Sequence, residues 1–231
     1  MSSDDIPPDW APLLEEFRAR VEAGRAMGGE ARLAKLRAAG RLNAREQIAA
    51  LCDAGSFVEL GTLAGGQPHG EAPAAPADAL VGGLARIDGR PVVVGAEDFS
   101  VQGGSIGFAT HAKRLRYARI AQQERVPLIM LLDGAGERAS NALSRHPYAP
   151  NDMQELARLS GQVPTIAVVT GSSAGHGAIT ALLSDLVIML DKATIFAAGP
   201  ALVAAATGEV VSKEDLGGAR IHAAQSGVAH N

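Results

Sequence analysis

Two glycine-bearing segments hold the residues best suited to chemistry: Asp133-Gly134-Ala135-Gly136-Glu137-Arg138 and Gly171-Ser172-Ser173-Ala174-Gly175-His176-Gly177. Each follows an apolar run that reads as a buried strand. Where such a strand turns into a helix, N–H groups without an intrahelical partner meet the positive end of the helix dipole. Two turns of this kind side by side would offer paired N–H donors to a developing oxyanion, worth about 3–4 kcal/mol for each donor. Glycine fits because no Cβ shields the amide. Many α/β proteins also use such turns simply to reverse the chain. No dinucleotide fingerprint follows the first strand, and neither segment ends in the Gly-Lys-Ser/Thr of a phosphate loop.

Other chemistries are weaker. Gly171–Gly175 matches the G-x-S-x-G pattern of a hydrolase elbow, and Asp185 or Asp191 followed by His222 or His230 gives the required chain order. A hydrolase using a serine of this turn, Ser172 or Ser173, therefore stays open. His176 reads as a capped or packed histidine, and His69 as a solvated one in a loop. No pair of histidines or carboxylates has metal-ligand spacing, so no metal is expected. The run Lys113, Arg114, Arg116, Arg119 reads as a solvated helix face, part of which would suit a phosphate-bearing ligand.

The elements that position these residues follow from periodicity. Leu13, Leu14, Phe17 and Val21 recur at helical spacing until Gly28-Gly29 interrupts, and a second short helix runs through Leu33 and Leu36 to Gly40. Asn43-Ala44-Arg45-Glu46 is a capping box opening a third helix through Ile48 and Leu51. Residues 1–60 are thus expected to form a helical arm, and 61–231 the core. A Gly/Pro/Ala-rich loop from Gly65 to Asp78 leads to a hairpin, Leu80–Ile87 and Pro91–Gly95, closed at Asp88-Gly89. After that, strands (Leu128–Leu132, Thr165–Val169, Leu186–Leu190, Thr194–Phe196) alternate with helices near Phe108–Gln123, Met153–Leu159 and Gly175–Leu183. The segment Asp133–Pro150 reads as irregular. Such alternation predicts α/β layering.

Composition narrows the field. The chain has 231 residues with 21 Lys plus Arg against 25 Asp plus Glu, a net charge of −4. That balance argues against a nucleic-acid backbone reader, and 3% aromatic content argues against a base-stacking platform. A lone cysteine, Cys52, excludes an intramolecular disulfide framework. The acidic, proline-containing start lacks the runs of a signal peptide, and no apolar stretch is long enough to span a bilayer. A reducing cytoplasm is the expected location. With 27 glycines, bare backbone near a ligand is a recurring theme.

Longer motifs are more specific. Gly40-Arg41-Leu42-Asn43-Ala44-Arg45-Glu46, Asp53-Ala54-Gly55-Ser56-Phe57-Val58-Glu59 and Asp98-Phe99-Ser100-Val101-Gln102-Gly103-Gly104-Ser105-Ile106-Gly107 stand in order with the closing run Gly199-Pro200, Ala206-Thr207-Gly208-Glu209-Val210-Val211 and Ser226-Gly227-Val228-Ala229-His230. This series resembles acyl-CoA carboxylase carboxyltransferase (beta) subunits of the propionyl-CoA and methylcrotonyl-CoA type. The resemblance implies a crotonase-like α/β fold, a spiral of ββα units, behind the helical arm. It implies acyl-CoA binding, with Gly175 and His176 offering amides to the thioester carbonyl so that its enolate is stabilised. Gly136 and Glu137 fall where the fold places its other oxyanion donors. Gly103, Gly104, Ser105, Ala174 and Gly177 are the expected CoA-contacting residues.

By the same resemblance, carboxybiotin on a partner protein delivers the carboxyl group. The expected partners are a separate C-terminal carboxyltransferase half, a biotin carboxyl carrier and biotin carboxylase, in an oligomer that involves neither nucleic acid nor membrane. The family's subunits are about twice as long as this chain. Two departures stand out: Asp133-Gly134-Ala135-Gly136-Glu137-Arg138 replaces the usual Asp-Ser-Gly-Gly-Ala-Arg, and His176 interrupts a usual glycine pair. A decarboxylase of a malonyl-type CoA thioester and a non-catalytic assembly module are the alternative readings.

Overall fold

The helical arm forms as its periodicity predicts. In the computed structural model, which describes residues 7–65, 77–142 and 151–231, it comprises α1 (Ala11–Arg25), α2 (Glu30–Ala38) and α3 (Ala44–Leu51). Gly29, at φ +86°, breaks α1 from α2. The capping box of α3 is reciprocal: Glu46 N–H donates to Asn43 Oδ1 at 3.0 Å, and Asn43 N–H donates to Glu46 Oε2 at 2.8 Å. Gly28 has no room for a side chain, since a Cβ would meet Ser100 O at 2.0 Å. That contact pins the arm to the segment carrying the 98–107 motif. The readings made for His69, for most of the Gly65–Asp78 loop and for residues 143–150 of the irregular Asp133–Pro150 segment lie outside the described residues.

The sheet is mixed, in the order β1 (Val58–Glu59), β2 (Leu80–Ile87), β3 (Arg90–Glu97), β4 (Leu128–Gly134), β5 (Thr165–Ala174), β6 (Leu186–Met189), with β7 (Thr194–Phe196) also on β5. The first two pairings are antiparallel and the rest parallel. Asp88 (φ +49°) and Gly89 (φ +74°) supply the two positive φ values that a tight hairpin between β2 and β3 demands. Helices α4 (Phe108–Glu124), α5 (Asp152–Arg158) and α6 (His176–Leu182) follow β3, β4 and β5, and α7 (Pro200–Thr207) follows β7.

Both faces of the sheet are covered. Toward α4, Leu80, Tyr117, Leu132, Leu159 and Val169 pack together, while Ile48 of α3 packs with Val81, Val94 and Leu131 on the other face. Because β1 pairs with β2 and α3 lies on the sheet, the arm is bonded into the core at its C-terminal end. No described helix is long and apolar enough to cross a membrane.

Two expectations need correction. Gly171–Ala174 is not a loop: β5 runs on through it, leaving β6 and pairing Ser172, Ser173 and Ala174 with Thr194, Ile195 and Phe196. Gly171 makes that course possible, because a Cβ there would lie 2.0 Å from Asp133 Oδ1. Lys113 and Arg114 are not solvated; both are buried, whereas Arg116 and Arg119 are exposed. Lys113 Nζ donates to the carbonyls of Ala77 and Leu80. Burial lowers its pKa to about 8.

Candidate active site

The turn after β4 and the end of β5 meet backbone to backbone. Gly136 (φ +84°) lies so close to β5 that a Cβ would stand 2.8 Å from Ala174 O and 3.7 Å from Gly175 Cα. Ile106 fixes the first turn: its N–H donates to Gly136 O at 2.8 Å, and Arg138 N–H donates to Ile106 O at 3.0 Å. These bonds use the carbonyl of Gly136 and the amide of Arg138, so the N–H groups of Gly136 and Glu137 stay outside the ladder. In the second turn, Gly175 N–H donates to Phe196 O at 3.0 Å. That bond engages the amide expected to face the thioester carbonyl. The first intrahelical bond of α6 is Ile179 N–H to Gly175 O. The amides of His176, Gly177 and Ala178 precede that bond and have no intrahelical acceptor.

Gly104 and Ser105 both pack against the first turn. Gly104 abuts Asp133 O, with 2.4 Å to a built Cβ. Ser105 accepts from Arg138 Nε at 3.2 Å through Oγ and from Arg138 Nη2 at 2.8 Å through its carbonyl. Arg138 Nη2 also reaches Asp78 Oδ1 at 2.6 Å, so its planar fork ties three segments beneath the turn. Gly103 accepts from Ala135 N–H through its carbonyl at 3.0 Å. Gly177 packs against Ser173, where a Cβ would meet Oγ at 2.2 Å.

Beside the turns lies a cluster that spacing alone did not reveal. Asp152, the first residue of α5, receives Arg114 Nε at 2.8 Å on Oδ2. His176 Nε2 lies 2.8 Å from the same oxygen, and His111 Nδ1 lies 2.6 Å from Oδ1. Glu137, from the first turn, faces the far side of both rings, 2.9 Å from His111 Nε2 and 3.6 Å from His176 Nδ1. Arg114 also donates to Glu97 Oε1 at 3.2 Å and to Thr180 Oγ1. Glu97 Oε2 accepts from Asp133 N–H at 2.8 Å, which links the cluster to the base of the first turn.

Burial and charge set the protonation of this cluster. Burial raises Glu97 to about 6 against the pull of Arg114. Burial also pushes Asp152 up, but its bonds to His111 and His176 and the charge of Arg114 prevail and hold it well below the carboxylate range. Burial pulls His111 down, and its bonds to Asp152 and Glu137 reverse the sign, leaving it raised. Sequence offered one hint of the arrangement: His111 and Arg114, three residues apart, share a face of α4. His111, Asp152 and Glu97 were missed because their partners are distant in the chain.

The hydrolase elbow does not assemble. Ser173 is fully buried in β5 and its hydroxyl meets no partner among the described residues. Ser172 Oγ accepts from Thr194 Oγ1 at 3.1 Å. Asp185 is spent on Thr165, His222 on Ile195 O and Ser226, and His230 on Val187 N–H. On the α3 side of Asp133, next to its partner Arg41, lies a cavity of about 460 Å³ lined by Leu51, Leu131, Val168, Thr170 and Leu190.

The carboxyl transferase domain model matches residues 35–231. The chain is 38% identical over 225 residues to methylmalonyl-CoA decarboxylase subunit alpha of Veillonella parvula, covering 94% of this chain and 43% of that protein. It is 40% identical over 221 residues to the probable mitochondrial methylcrotonoyl-CoA carboxylase beta chain of Drosophila melanogaster, covering 93% and 38%. A solved transcarboxylase 12S with methylmalonyl-CoA and methylmalonic acid bound superposes at TM-score 0.86 and 33% identity, over 97% of this chain and 45% of that one. The chain thus spans about two fifths of the length of the curated relatives it matches. That structural match bears out the crotonase-like α/β fold expected from the motifs. The chain belongs to the carboxyl transferase domain family, and it resembles the N-terminal half of acyl-CoA carboxylase beta chains.

Proposed function

We propose that this chain is the acyl-CoA-binding half of a biotin-dependent carboxyltransferase. The observation that carries the reading is the contact of Gly136 with Ala174 and Gly175, which sets two amide-bearing turns against each other. In this reading the thioester oxygen lies over the start of α6, where the amides of His176 and Gly177 stabilise the enolate left when the α-carbon is deprotonated. The amides of Gly136 and Glu137 serve as the other oxyanion donors. Gly103, Gly104 and Ser105 hold the first turn in place. Carboxybiotin would supply the carboxyl group and, on giving it up, take the α-proton on its ureido nitrogen, and a C-terminal carboxyltransferase half would complete the site.

Exposed apolar side chains support a partner for this face. Ile179 and Leu182 of α6 are 47% and 61% exposed, and Leu202 of α7 is 65% exposed. A second reading, decarboxylation of a malonyl-type thioester through the same donors, is favoured by the likeness to the Veillonella decarboxylase subunit. Calorimetric titration with acetyl-CoA and propionyl-CoA tests the shared premise. Turnover of methylmalonyl-CoA by this chain alone would select the second reading, and carboxylation that needs both a C-terminal half and carboxybiotin the first.

A further inference from the structure

We propose that His111, Asp152 and His176 form a binding site for a divalent first-row transition-metal ion of the zinc type. One ligating atom from each residue lies within 4.8 Å of the other two. The two imidazoles converge on a single carboxylate: His111 Nδ1 is 2.6 Å from Asp152 Oδ1 and His176 Nε2 is 2.8 Å from Asp152 Oδ2. Their opposite nitrogens both turn toward Glu137, at 2.9 and 3.6 Å. Liganding histidines show the pattern seen at His111, where the outer nitrogen is held by a further carboxylate that fixes tautomer and ring orientation.

Charge points the same way. With both rings neutral, three carboxylates, Glu97, Asp152 and Glu137, stand in this cluster against one guanidinium, that of Arg114, which reaches the first two. Each imidazole faces a carboxylate on both sides, and a neutral imidazole has only one N–H to give. A divalent cation between Asp152 and the two rings leaves His111 its one N–H for Glu137 and offsets the negative charge that remains when the rings are neutral. Two nitrogens and one oxygen suit zinc and its neighbours, whereas magnesium and calcium prefer all-oxygen sets. The three side chains are 14%, 4% and 11% exposed, from α4, α5 and α6, so they are fixed by packing yet not sealed off. Three protein ligands leave a coordination position for water or a ligand oxygen. Because His176 and Glu137 belong to the two facing turns, the ion would also clamp the turns together. The site stands independently of whether the chain binds acyl-CoA.

The test uses the whole chain, stripped with a chelator and titrated with Zn²⁺ by calorimetry and with Co²⁺ by visible absorption. One saturable site per chain is expected, with Co²⁺ bands of imidazole coordination. H111Q and H176Q are each expected to weaken binding at least about 100-fold, and E137Q about 10–100-fold as an outer-shell change. Circular dichroism separates loss of ligand from loss of fold, and E137Q, whose side chain is 48% exposed, remains informative if a histidine variant unfolds. Absence of saturable binding to the wild-type chain would overturn the proposal. Binding unchanged in both histidine variants would overturn it too, placing the ion on another of the six histidines.

Discussion

Gly136 and Ala174 touch through backbone alone: the missing side chain of the glycine would sit 2.8 Å from the alanine carbonyl oxygen. The contact fixes the separation of two turns from strands that are adjacent in the sheet but whose facing residues lie far apart in sequence. At φ +84° the position also excludes L side chains on conformational grounds. Gly136→Ala is therefore expected to cost about 1–2 kcal/mol of stability and to weaken acyl-CoA binding at least tenfold. Urea unfolding and calorimetry check the two effects separately. Unchanged affinity would show that the donors do not depend on this apposition.

Among the described residues, Arg114 is the one guanidinium donating to both Glu97 and Asp152, and all three side chains are at most 4% exposed. Arg114→Met leaves two buried carboxylates without their cation, which costs about 3–5 kcal/mol. Urea unfolding should show this loss, and a change below about 1 kcal/mol would mean the histidines alone hold the pair.

Glu97 gives the fold a pH dependence of known sign. Its pKa is raised from 4.5 to about 6, so the folded state binds its proton more tightly than the unfolded chain does. The stabilisation is fully present below pH 4.5 and is lost as the pH rises through 6, by about 2 kcal/mol. Urea unfolding of wild type and Glu97→Gln across this window should differ in slope, whatever the substitution costs in absolute stability. Parallel slopes would contradict the raised value.

Ser173 carries a buried hydroxyl with no hydrogen-bond partner among the described residues. Ser173→Ala removes a desolvated polar group, so stability should rise or hold within about 1 kcal/mol. Acyl-CoA affinity should stay unchanged. A loss of activity toward any ester with intact folding would instead revive the nucleophile reading.

Local chemistry was legible in the sequence where one segment decides the outcome. Asn43 and Glu46 announce their capping box, and Asp88-Gly89 announces its hairpin, because the bonds involved are within a few residues. The motif series around Gly103 and Thr207 gave the family. Tertiary pairing was not legible. Gly171–Ala174 looks like a turn until β7 arrives to pair with it, and Lys113 and Arg114 look solvated until carbonyls and carboxylates from other elements surround them. The His111–Asp152–His176 cluster joins α4, α5 and α6 across separations of 41 and 24 residues, beyond the reach of any spacing rule. The bond from the Gly175 amide to Phe196, on a strand yet to come, was hidden for the same reason.

The central claim is that the paired turns make a CoA-thioester site. Calorimetric titration of the whole chain with propionyl-CoA, wild type beside Gly136→Ala, tests it most directly. The account predicts saturable one-to-one binding for the wild type and at least tenfold weaker binding for the variant, with the fold retained by circular dichroism. No saturable binding to the folded wild-type chain, or equal affinity in the two proteins, would contradict it.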